Sequence, residues 1–288
     1  MRTINYLIFL IFFFGFSNVT ANPIYKWRTL PDTPMLPKTQ CSGYAHVNGI
    51  KLWYAVFGKG KPVVLLHGGL ANSNYWGYLV PALAKHYQVI VIDSRGQGRS
   101  TSNGQVLSYN LMASDVLELM DFLKIKKFAL IGWSDGANTG LNIAIHHPER
   151  LTKLFFFAGN SNPNANKDDA FNSPVIKAYI KRTKEEYLAI SPTPTEQAYE
   201  ALFKNITTMW AREPRFTKSQ LHSITIPVWV VDGDHDEGIK RENIEYIAET
   251  IPNAGLLIEP NVSHFAFLQD PQQFNMNVLH FLKHTPDY

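Results

Sequence analysis

The fold is decided by residues 128–137, which read FALIGWSDGA. A short apolar run is followed by Ser134 between two glycines, Gly132 and Gly136, and then by a helical pattern from Ala137. A sharp turn from a strand into a helix holds such a serine above the edge of a sheet, and the glycines let neighbouring backbone approach closely. The five-residue string alone is a weak signal, but its place between a strand and a helix makes it specific. Ser134 is therefore the candidate nucleophile.

Strand and helix patterns alternate on both sides of this turn. Short apolar runs that predict buried parallel strands lie at 63–66, 89–92, 128–131, 154–157 and 228–231. Helical patterns lie between them at 75–84, 111–123 and 137–145. A hairpin precedes them at 44–47 and 50–56, because Asn48-Gly49 supplies the positive φ that a two-residue turn needs. The alternation predicts an α/β fold with a mostly parallel, doubly wound sheet flanked by helices.

The alternation stops between about residue 160 and residue 224. An asparagine-rich stretch at 160–172 is followed by helical patterns at 175–190 and 195–210. A plain surface excursion is one interpretation, but about 60 residues is far longer than ordinary loops. We therefore expect a helical lid over the site, inserted after the sixth strand.

A serine hydroxyl needs a base to remove its proton, and the base needs an acid to orient it. The strand at 228–231 runs into the acidic loop Asp232–Glu237, at the end of a strand where α/β sites form. A further strand at 256–258 precedes Val262–Phe265, which contains one histidine, His264. The sequence predicts His264 as the base and an aspartate of the acidic loop as the acid.

Four separated motifs resemble those of the α/β-hydrolase superfamily, over residues 43–282. They are His67–Leu70, Asp93–Ser100, the GWSDG turn, and Gly233–Asp236 followed by Ser263–Phe265. The resemblance implies that the N–H groups of Gly69 and Asp135 form the oxyanion hole. It also implies that the second aspartate of the GDxD pattern, Asp236 rather than Asp234, is the acid. The GWSDG turn is similar to that of the branch containing valacyclovir-hydrolase-type and meta-cleavage-product-type enzymes.

The resemblance implies a serine hydrolase with a Ser134, His264 and Asp236 triad that acts through an acyl-enzyme. A small carboxylic ester is the expected substrate. Amide or aminopeptidase-like hydrolysis and C–C bond hydrolysis of a meta-cleavage product remain alternatives on the same triad. A non-catalytic binding protein with this fold is an alternative of another class, although all three triad positions are filled.

Several residues near these motifs have a second interpretation. His67 could act as a base, but the resemblance implies that it packs the oxyanion loop. The Asp135 carboxylate either stabilises the helix N-terminus or faces the pocket and selects cationic or polar substrates. Asp234, His235 and Asp236 could bind a metal, but no other cluster converges with them. We expect neither a metal nor a cofactor.

Composition excludes several classes of protein. The 288 residues are 45% hydrophobic and 18% charged, which is typical of a globular protein. A net charge of +3 is too small for a nucleic-acid partner, so we expect a small-molecule substrate. Cys41 is the single cysteine, which excludes an internal disulfide. No sequence pattern predicts an oligomeric state.

The N-terminal region divides into two parts before a single catalytic domain at 43–288. Residues 1–21 have a charged start, an apolar run of about ten residues and small residues before Asn22, which is typical of a signal peptide. The proline-rich residues 22–42 predict an extended arm. We expect export to the periplasm or the medium without stable membrane insertion, with an uncleaved membrane anchor as the alternative.

Overall fold

The structure, a computed structural model, describes residues 25–39 and 41–287. The strands in this part of the chain are β1 Ser42–Val47, β2 Ile50–Phe57, β3 Pro62–Leu66, β4 Gln88–Ile92, β5 Phe128–Trp133, β6 Leu151–Phe157, β7 Val228–Gly233 and β8 Ala254–Glu259. They form one sheet in the order β1-β2-β4-β3-β5-β6-β7-β8. β2 is antiparallel to β1 and β4, and the other neighbours are parallel.

Helices cover both faces of the sheet. They are α1 Val80–Leu83, α2 Tyr109–Phe122, α3 Asp135–His146, α4 Pro174–Ile190, α5 Glu196–Trp210, α6 Lys218–His222, α7 Arg241–Thr250, α8 Ala266–Gln269 and α9 Pro271–His284. Successive side chains of a strand point to opposite faces, so Val63 and Leu65 pack with α1, α8 and α9, whereas Val64 and Leu66 pack with α2, α3 and α7. The predicted doubly wound α/β sheet is confirmed.

The helix predicted over 75–84 is wrong in its extent. The chain instead forms a 3₁₀ turn at Ser73–Trp76 and the short helix α1. Asn72 caps the 3₁₀ turn by accepting from the N–H of Asn74 at 3.0 Å. Pro81 has no N–H and is tolerated only in the first turn of a helix, so α1 begins immediately before it. The helices α7 and α9 were not predicted from the sequence.

Between β6 and β7 the chain leaves the sheet for residues 158–227, which we call the insertion. Ser173 caps α4 and Thr195 caps α5 through their side-chain oxygens, and prolines in the link keep the two helices apart. Each long helix matches its predicted bounds within one residue at either end. The helical insertion predicted after the sixth strand is confirmed.

Residues 25–39, which we call the arm, lie along the surface with one 3₁₀ turn at Lys26–Arg28. Arg182 of α4 donates to the carbonyl of Leu30 at 2.8 Å, and Gln269 of α8 donates to the carbonyl of Thr29 at 2.8 Å. The arm therefore joins the insertion to the helix that follows His264. The predicted signal peptide at 1–21 and the start of the predicted arm lie outside the described residues.

The predicted hairpin turn has the expected geometry, with φ values of 44° at Asn48 and 77° at Gly49. Val47 and Ile50 pair directly across it. Among the helices of residues 25–39 and 41–287, none has the length and apolar character needed to span a bilayer.

Candidate active site

Ser134 lies at the junction of β5 and α3 in a strained conformation. Its φ is 54° and its ψ is −116°, which is unfavourable for a residue with a side chain. The turn is tight because two glycines bring backbone into contact. A Cβ on Gly136 would overlap the carbonyl of Leu66, and one on Gly132 would overlap the carbonyl of Gly136. Ser134 stays partly exposed while its neighbours are buried, so its side chain reaches the cavity above the sheet.

His264 and Asp236 form a buried pair at the same end of the sheet. Asp236 follows β7 and His264 follows β8, and these parallel neighbours end side by side. His264 Nδ1 lies 2.7 Å from Asp236 Oδ2. Asp236 Oδ1 accepts from the N–H groups of Gly238 at 2.6 Å and Ile239 at 2.8 Å. These contacts fix the carboxylate, and within the described residues the Nε2 of this cavity-lining imidazole has no hydrogen-bond partner.

The pair shifts the pKa of both members. Burial alone would lower the pKa of His264, but the charge and hydrogen bond of Asp236 outweigh it, so the pKa is raised. Burial alone would raise the pKa of Asp236, but the charge and hydrogen bond of His264, together with hydrogen bonding from Asp232 and the Ile239 N–H, outweigh it, so the pKa is lowered. A charged Asp236 therefore favours an imidazole that can take up a proton.

Asp234, the other candidate acid, forms neither a hydrogen bond nor an ion pair with His264 in the described part of the chain. Its Oδ1 accepts from the N–H of Val262 at 3.3 Å, and its Oδ2 lies 3.8 Å from His235 Nε2. About a third of its side chain is exposed. Asp236 therefore has the geometry of an acid that orients the imidazole. Asp234 instead links its loop to the backbone of Val262.

Ser134 and His264 line the same cavity, but within the described residues no hydrogen bond joins the Ser134 hydroxyl to the imidazole. Catalytic hydrogen bonds are often long in unliganded enzymes and shorten when substrate binds. The structure thus brings the serine and the histidine to one cavity without a direct bond between them.

The two predicted oxyanion donors, Gly69 and Asp135, lie against one another. A Cβ on Gly69 would overlap the Asp135 carboxylate. Within the described part of the chain, the N–H groups of Gly69 and Asp135 have no hydrogen-bond acceptor. Asp135 is the first residue of α3, where N–H groups are unpaired and the helix dipole favours negative charge. Neither N–H group is therefore committed to another residue of the described chain.

The Asp135 carboxylate is buried and bound by two aromatic donors. Tyr109 donates its hydroxyl to Oδ1 at 2.7 Å, and Trp210 Nε1 lies 2.8 Å from Oδ1 and 3.0 Å from Oδ2. Burial raises the pKa of Asp135 to about 6, although these donors act in the opposite direction. Neither Tyr109 nor Trp210 was predicted as a site residue.

His67 lies beneath the site and is not part of the cavity wall. Its Nδ1 lies 2.7 Å from the carbonyl of Gly68, and its Nε2 accepts from the N–H of Ser94 at 2.9 Å. Burial lowers the pKa of His67. These contacts tie together the loops after β3 and β4, which is the packing role that the resemblance implies.

The cavity has a volume of about 450 Å³, and its lining combines apolar side chains with polar and charged ones. Apolar and aromatic side chains of the insertion form one wall, namely Phe171, Ile176, Tyr179, Ile180 and Trp210. Amide and charged side chains form much of the rest, namely Asn160, Asn164, Asn166, Lys167 and Glu213. The volume suits a small molecule, and the insertion supplies most of what surrounds it.

Among residues 25–39 and 41–287, no three His, Cys, Asp or Glu side chains are grouped to hold a metal ion. Asp234, His235 and Asp236 are adjacent in sequence but are turned to different partners. Trp27 of the arm stacks on His235 with ring centroids 4.2 Å apart.

The α/β-hydrolase fold family model matches residues 61–215, more than half of the chain. The chain therefore belongs to the α/β-hydrolase fold family. It is 25% identical over 273 residues to the 2-hydroxy-6-oxo-6-(2'-aminophenyl)hexa-2,4-dienoic acid hydrolase of Metapseudomonas resinovorans. This alignment covers 85% of this chain and 91% of that protein. It is 29% identical over 252 residues to the pimeloyl-[acyl-carrier protein] methyl ester esterase of Aeromonas hydrophila, which covers 78% of this chain and 97% of that protein.

Among solved structures, the chain is similar to Est816, described as an N-acyl homoserine lactone degrading enzyme. The TM-score is 0.71 at 25% identity, over 83% of this chain and 99% of that one. These relatives are hydrolases, and they assign the chain to the hydrolases of this fold. The predicted resemblance to the branch with meta-cleavage-product-type enzymes is confirmed.

Proposed function

We propose that the protein is a serine hydrolase that cleaves a small carboxylic ester through an acyl-enzyme. The observation that carries this proposal is the buried His264 and Asp236 pair, 2.7 Å apart, which shares a cavity with the strained Ser134. A strained serine at a helix N-terminus, beside an oriented imidazole, is the arrangement that acyl transfer requires.

In this mechanism the Ser134 Oγ attacks the carbonyl carbon of the ester while His264 takes the hydroxyl proton. Asp236 holds the imidazole with Nδ1 protonated, so that Nε2 is the base. The N–H groups of Gly69 and Asp135 stabilise the negative charge on the carbonyl oxygen. His264 then gives the proton to the departing alcohol. Water, deprotonated by His264, attacks the carbonyl carbon of the acyl-enzyme, and the acid leaves as His264 returns the proton to Ser134 Oγ.

An ester is favoured as substrate by one relative that is named a methyl ester esterase and by one structure described as degrading a lactone, which is a cyclic ester. Hydrolysis of a C–C bond is the second candidate, because the relative aligned over 273 residues is named a hydrolase of an oxo-dienoic acid. Both reactions use the same serine, histidine and aspartate. The insertion, which lines the cavity, acts in this proposal as the lid that selects the substrate.

The nucleophile is tested with a serine-directed fluorophosphonate probe and a turnover panel of matched esters, amides and vinylogous diketones. We expect the probe to label the wild-type protein and not Ser134→Ala, and the variant to lose turnover by about 10⁴-fold or more. Ser263→Ala is the matched control, because Ser263 is buried beside His264 and receives a bond from Gln269. Labelling that persists in Ser134→Ala would overturn the assignment, and the preferred member of the panel separates ester from C–C hydrolysis.

A further inference from the structure

The two residues predicted to supply the oxyanion N–H groups, Gly69 and Asp135, each accept a hydrogen bond from a different helix of the insertion. The Tyr179 hydroxyl of α4 donates to the carbonyl of Gly69 at 2.6 Å. The Trp210 indole of α5 donates to the carboxylate of Asp135 at 2.8 Å. The insertion thus contacts the loop after β3 through the Gly69 carbonyl and the start of α3 through the Asp135 side chain.

The contact from Tyr179 fixes a strained peptide. The peptide between Gly69 and Leu70 is held at both ends, since its carbonyl accepts from Tyr179 and its N–H donates to Gln97 Oε1 at 2.6 Å. Leu70 has a φ of 70°, in the left-handed region that leucine rarely adopts. Without Tyr179 this peptide loses one of the two contacts that oppose its rotation. Gly69 joins this peptide to the preceding one, which carries the Gly69 N–H, so a shift of the Gly69 Cα also moves that N–H beside the cavity.

Trp210 lies against both Gly69 and Asp135. Its ring lies so close to Gly69 that a Cβ on that glycine would meet the ring at 2.5 Å. Its Nε1 bridges both oxygens of Asp135, and the Tyr109 hydroxyl holds the same carboxylate from the sheet side. Asp135 is buried, so a carboxylate that lost these donors would be left without partners in an apolar setting. Trp210 therefore fixes the Asp135 side chain, and with it the first residue of α3.

We propose that Tyr179 and Trp210 are positioning residues, through which α4 and α5 hold the two oxyanion donors in their working geometry. The inference rests on the proposed serine hydrolase. It adds that the insertion, besides enclosing the substrate, completes the oxyanion hole when its two helices are docked. The Asp135 carboxylate then acts as the acceptor that ties α5 to the nucleophile turn.

The test uses Tyr179→Phe and Trp210→Phe, which remove the donor and keep an aromatic ring. Removing a direct oxyanion donor costs about 10²–10³-fold in kcat, so we expect loss of a positioning contact to cost about 10-fold to 100-fold, with KM changed by less than about 3-fold. Tyr199→Phe is the matched control. It removes a buried hydroxyl of α5 that lies 3.0 Å from Thr183 Oγ1 and donates to the carbonyl of Ile180 at 3.2 Å. Tyr199 does not line the cavity and bonds to neither Gly69 nor Asp135, so kcat should stay within about 2-fold.

A second measurement separates positioning from a general structural effect. In a trifluoromethyl ketone analogue of the best ester, Ser134 Oγ adds to the carbonyl carbon, His264 takes the hydroxyl proton, and the carbonyl oxygen becomes an oxyanion in the hole. The product acid binds without forming this oxyanion. We expect the inhibition constant of the ketone to rise in parallel with the loss in kcat/KM, and that of the product acid to change by less than about 3-fold.

The outcomes distinguish this inference from the proposed function. Turnover that persists in Ser134→Ala contradicts the serine hydrolase itself. If Ser134→Ala is inactive while Tyr179→Phe and Trp210→Phe keep kcat within about 2-fold, the hydrolase stands and the positioning role is overturned. Equal weakening of the ketone and the product acid also overturns it, because the residues would then shape the whole cavity.

Discussion

His264 Nδ1 lies 2.7 Å from Asp236 Oδ2, although 28 residues of chain separate the two. The second oxygen of Asp236 accepts two backbone N–H groups, so the carboxylate cannot rotate away from the imidazole. The neighbouring Asp234 bonds to the backbone of Val262 instead. The two aspartates of one loop thus have separate tasks, which substitution can test.

We expect Asp236→Asn to reduce kcat by about 10⁴-fold and Asp234→Asn to leave it within about 3-fold. An asparagine at 236 keeps an oxygen for Gly238 and Ile239 but presents its NH₂ to His264. The imidazole then accepts at Nδ1 and carries its proton on Nε2, so only its minor tautomer, with Nε2 unprotonated, can act as the base. Steady-state turnover of the best ester by both variants measures this. The reverse ranking would transfer the acid role to Asp234.

The pH dependence of turnover follows from the raised pKa of His264. Burial opposes the charged imidazole, but Asp236, Glu237 and Asp135 all favour it, and together they prevail. Because the base must be neutral, kcat/KM should fall as the pH drops through this raised pKa. Asp236 makes the largest contribution to raising the pKa of His264, so this pKa should fall in Asp236→Asn. The acid limb of the variant's residual activity should therefore move to lower pH.

Profiles of kcat/KM from about pH 4 to about pH 9 for the wild type and Asp236→Asn check this prediction. Asp121→Asn is a suitable control, since Asp121 is exposed on α2 and pairs with Arg150. An acid limb at the same pH in Asp236→Asn and wild type would show that another group controls it.

The nucleophile turn and the strands around it were predictable because their signals are local. A strand, two glycines and a helix start fall within ten residues around Ser134. His264 and the acidic loop were indicated by their places at the carboxyl ends of parallel strands, which meet at one edge of a sheet. The choice of Asp236 within that loop came from the resemblance to the family. The position of the Ser134 hydroxyl relative to the imidazole could not be predicted, since hydroxyl geometry depends on the bound substrate, and in the described residues no hydrogen bond joins the two.

The aromatic donors to Asp135 and to the Gly69 carbonyl could not be predicted, because their contacts span long stretches of chain. Tyr109, Tyr179 and Trp210 meet their acceptors across 26, 110 and 75 residues. In a helical pattern an aromatic residue reads as packing, and nothing local tells which face of α4 or α5 meets the sheet. The helix expected over 75–84 failed for a related reason, since tertiary packing overrides a weak local pattern around a proline.

The tight turn at Ser134 predicts that Gly136→Ala is damaging. A Cβ at this position would overlap the carbonyl of Leu66, which is backbone of β3 and cannot move aside. We expect a loss of about 1–3 kcal/mol in the free energy of unfolding and a large loss of turnover, because the nucleophile turn must shift. In Gly43→Ala, the control, the Cβ meets no atom within 4 Å, so stability should change by less than about 0.5 kcal/mol. Urea unfolding and turnover of both variants decide this, and equal behaviour would contradict the steric argument.

Glu259, at the end of β8, should make stability depend on pH. Its side chain is buried, Asn277 donates to Oε1 at 2.6 Å, and Oε2 has no partner among the described residues. Burial raises its pKa from 4.5 to about 7, against the hydrogen bond from Asn277 and with a smaller contribution from Asp270. An acid with a higher pKa in the folded chain binds its proton more tightly there. Its contribution is therefore fully present at low pH and is lost as the pH rises from about 4.5 through about 7.

Glu259→Gln should remove this loss, because glutamine stays neutral and keeps an oxygen for Asn277. We expect the variant and the wild type to have similar stability near pH 5, and the variant to be more stable by on the order of 1–3 kcal/mol near pH 8.5. Urea unfolding at the two pH values measures the difference. The matched control is Glu245→Gln on the exposed face of α7, which should change stability by less than about 0.5 kcal/mol at either pH. A Glu259→Gln protein that is no more stable at high pH would contradict the buried charge, because a carboxylate that ionises at no cost must have contact with water or a partner.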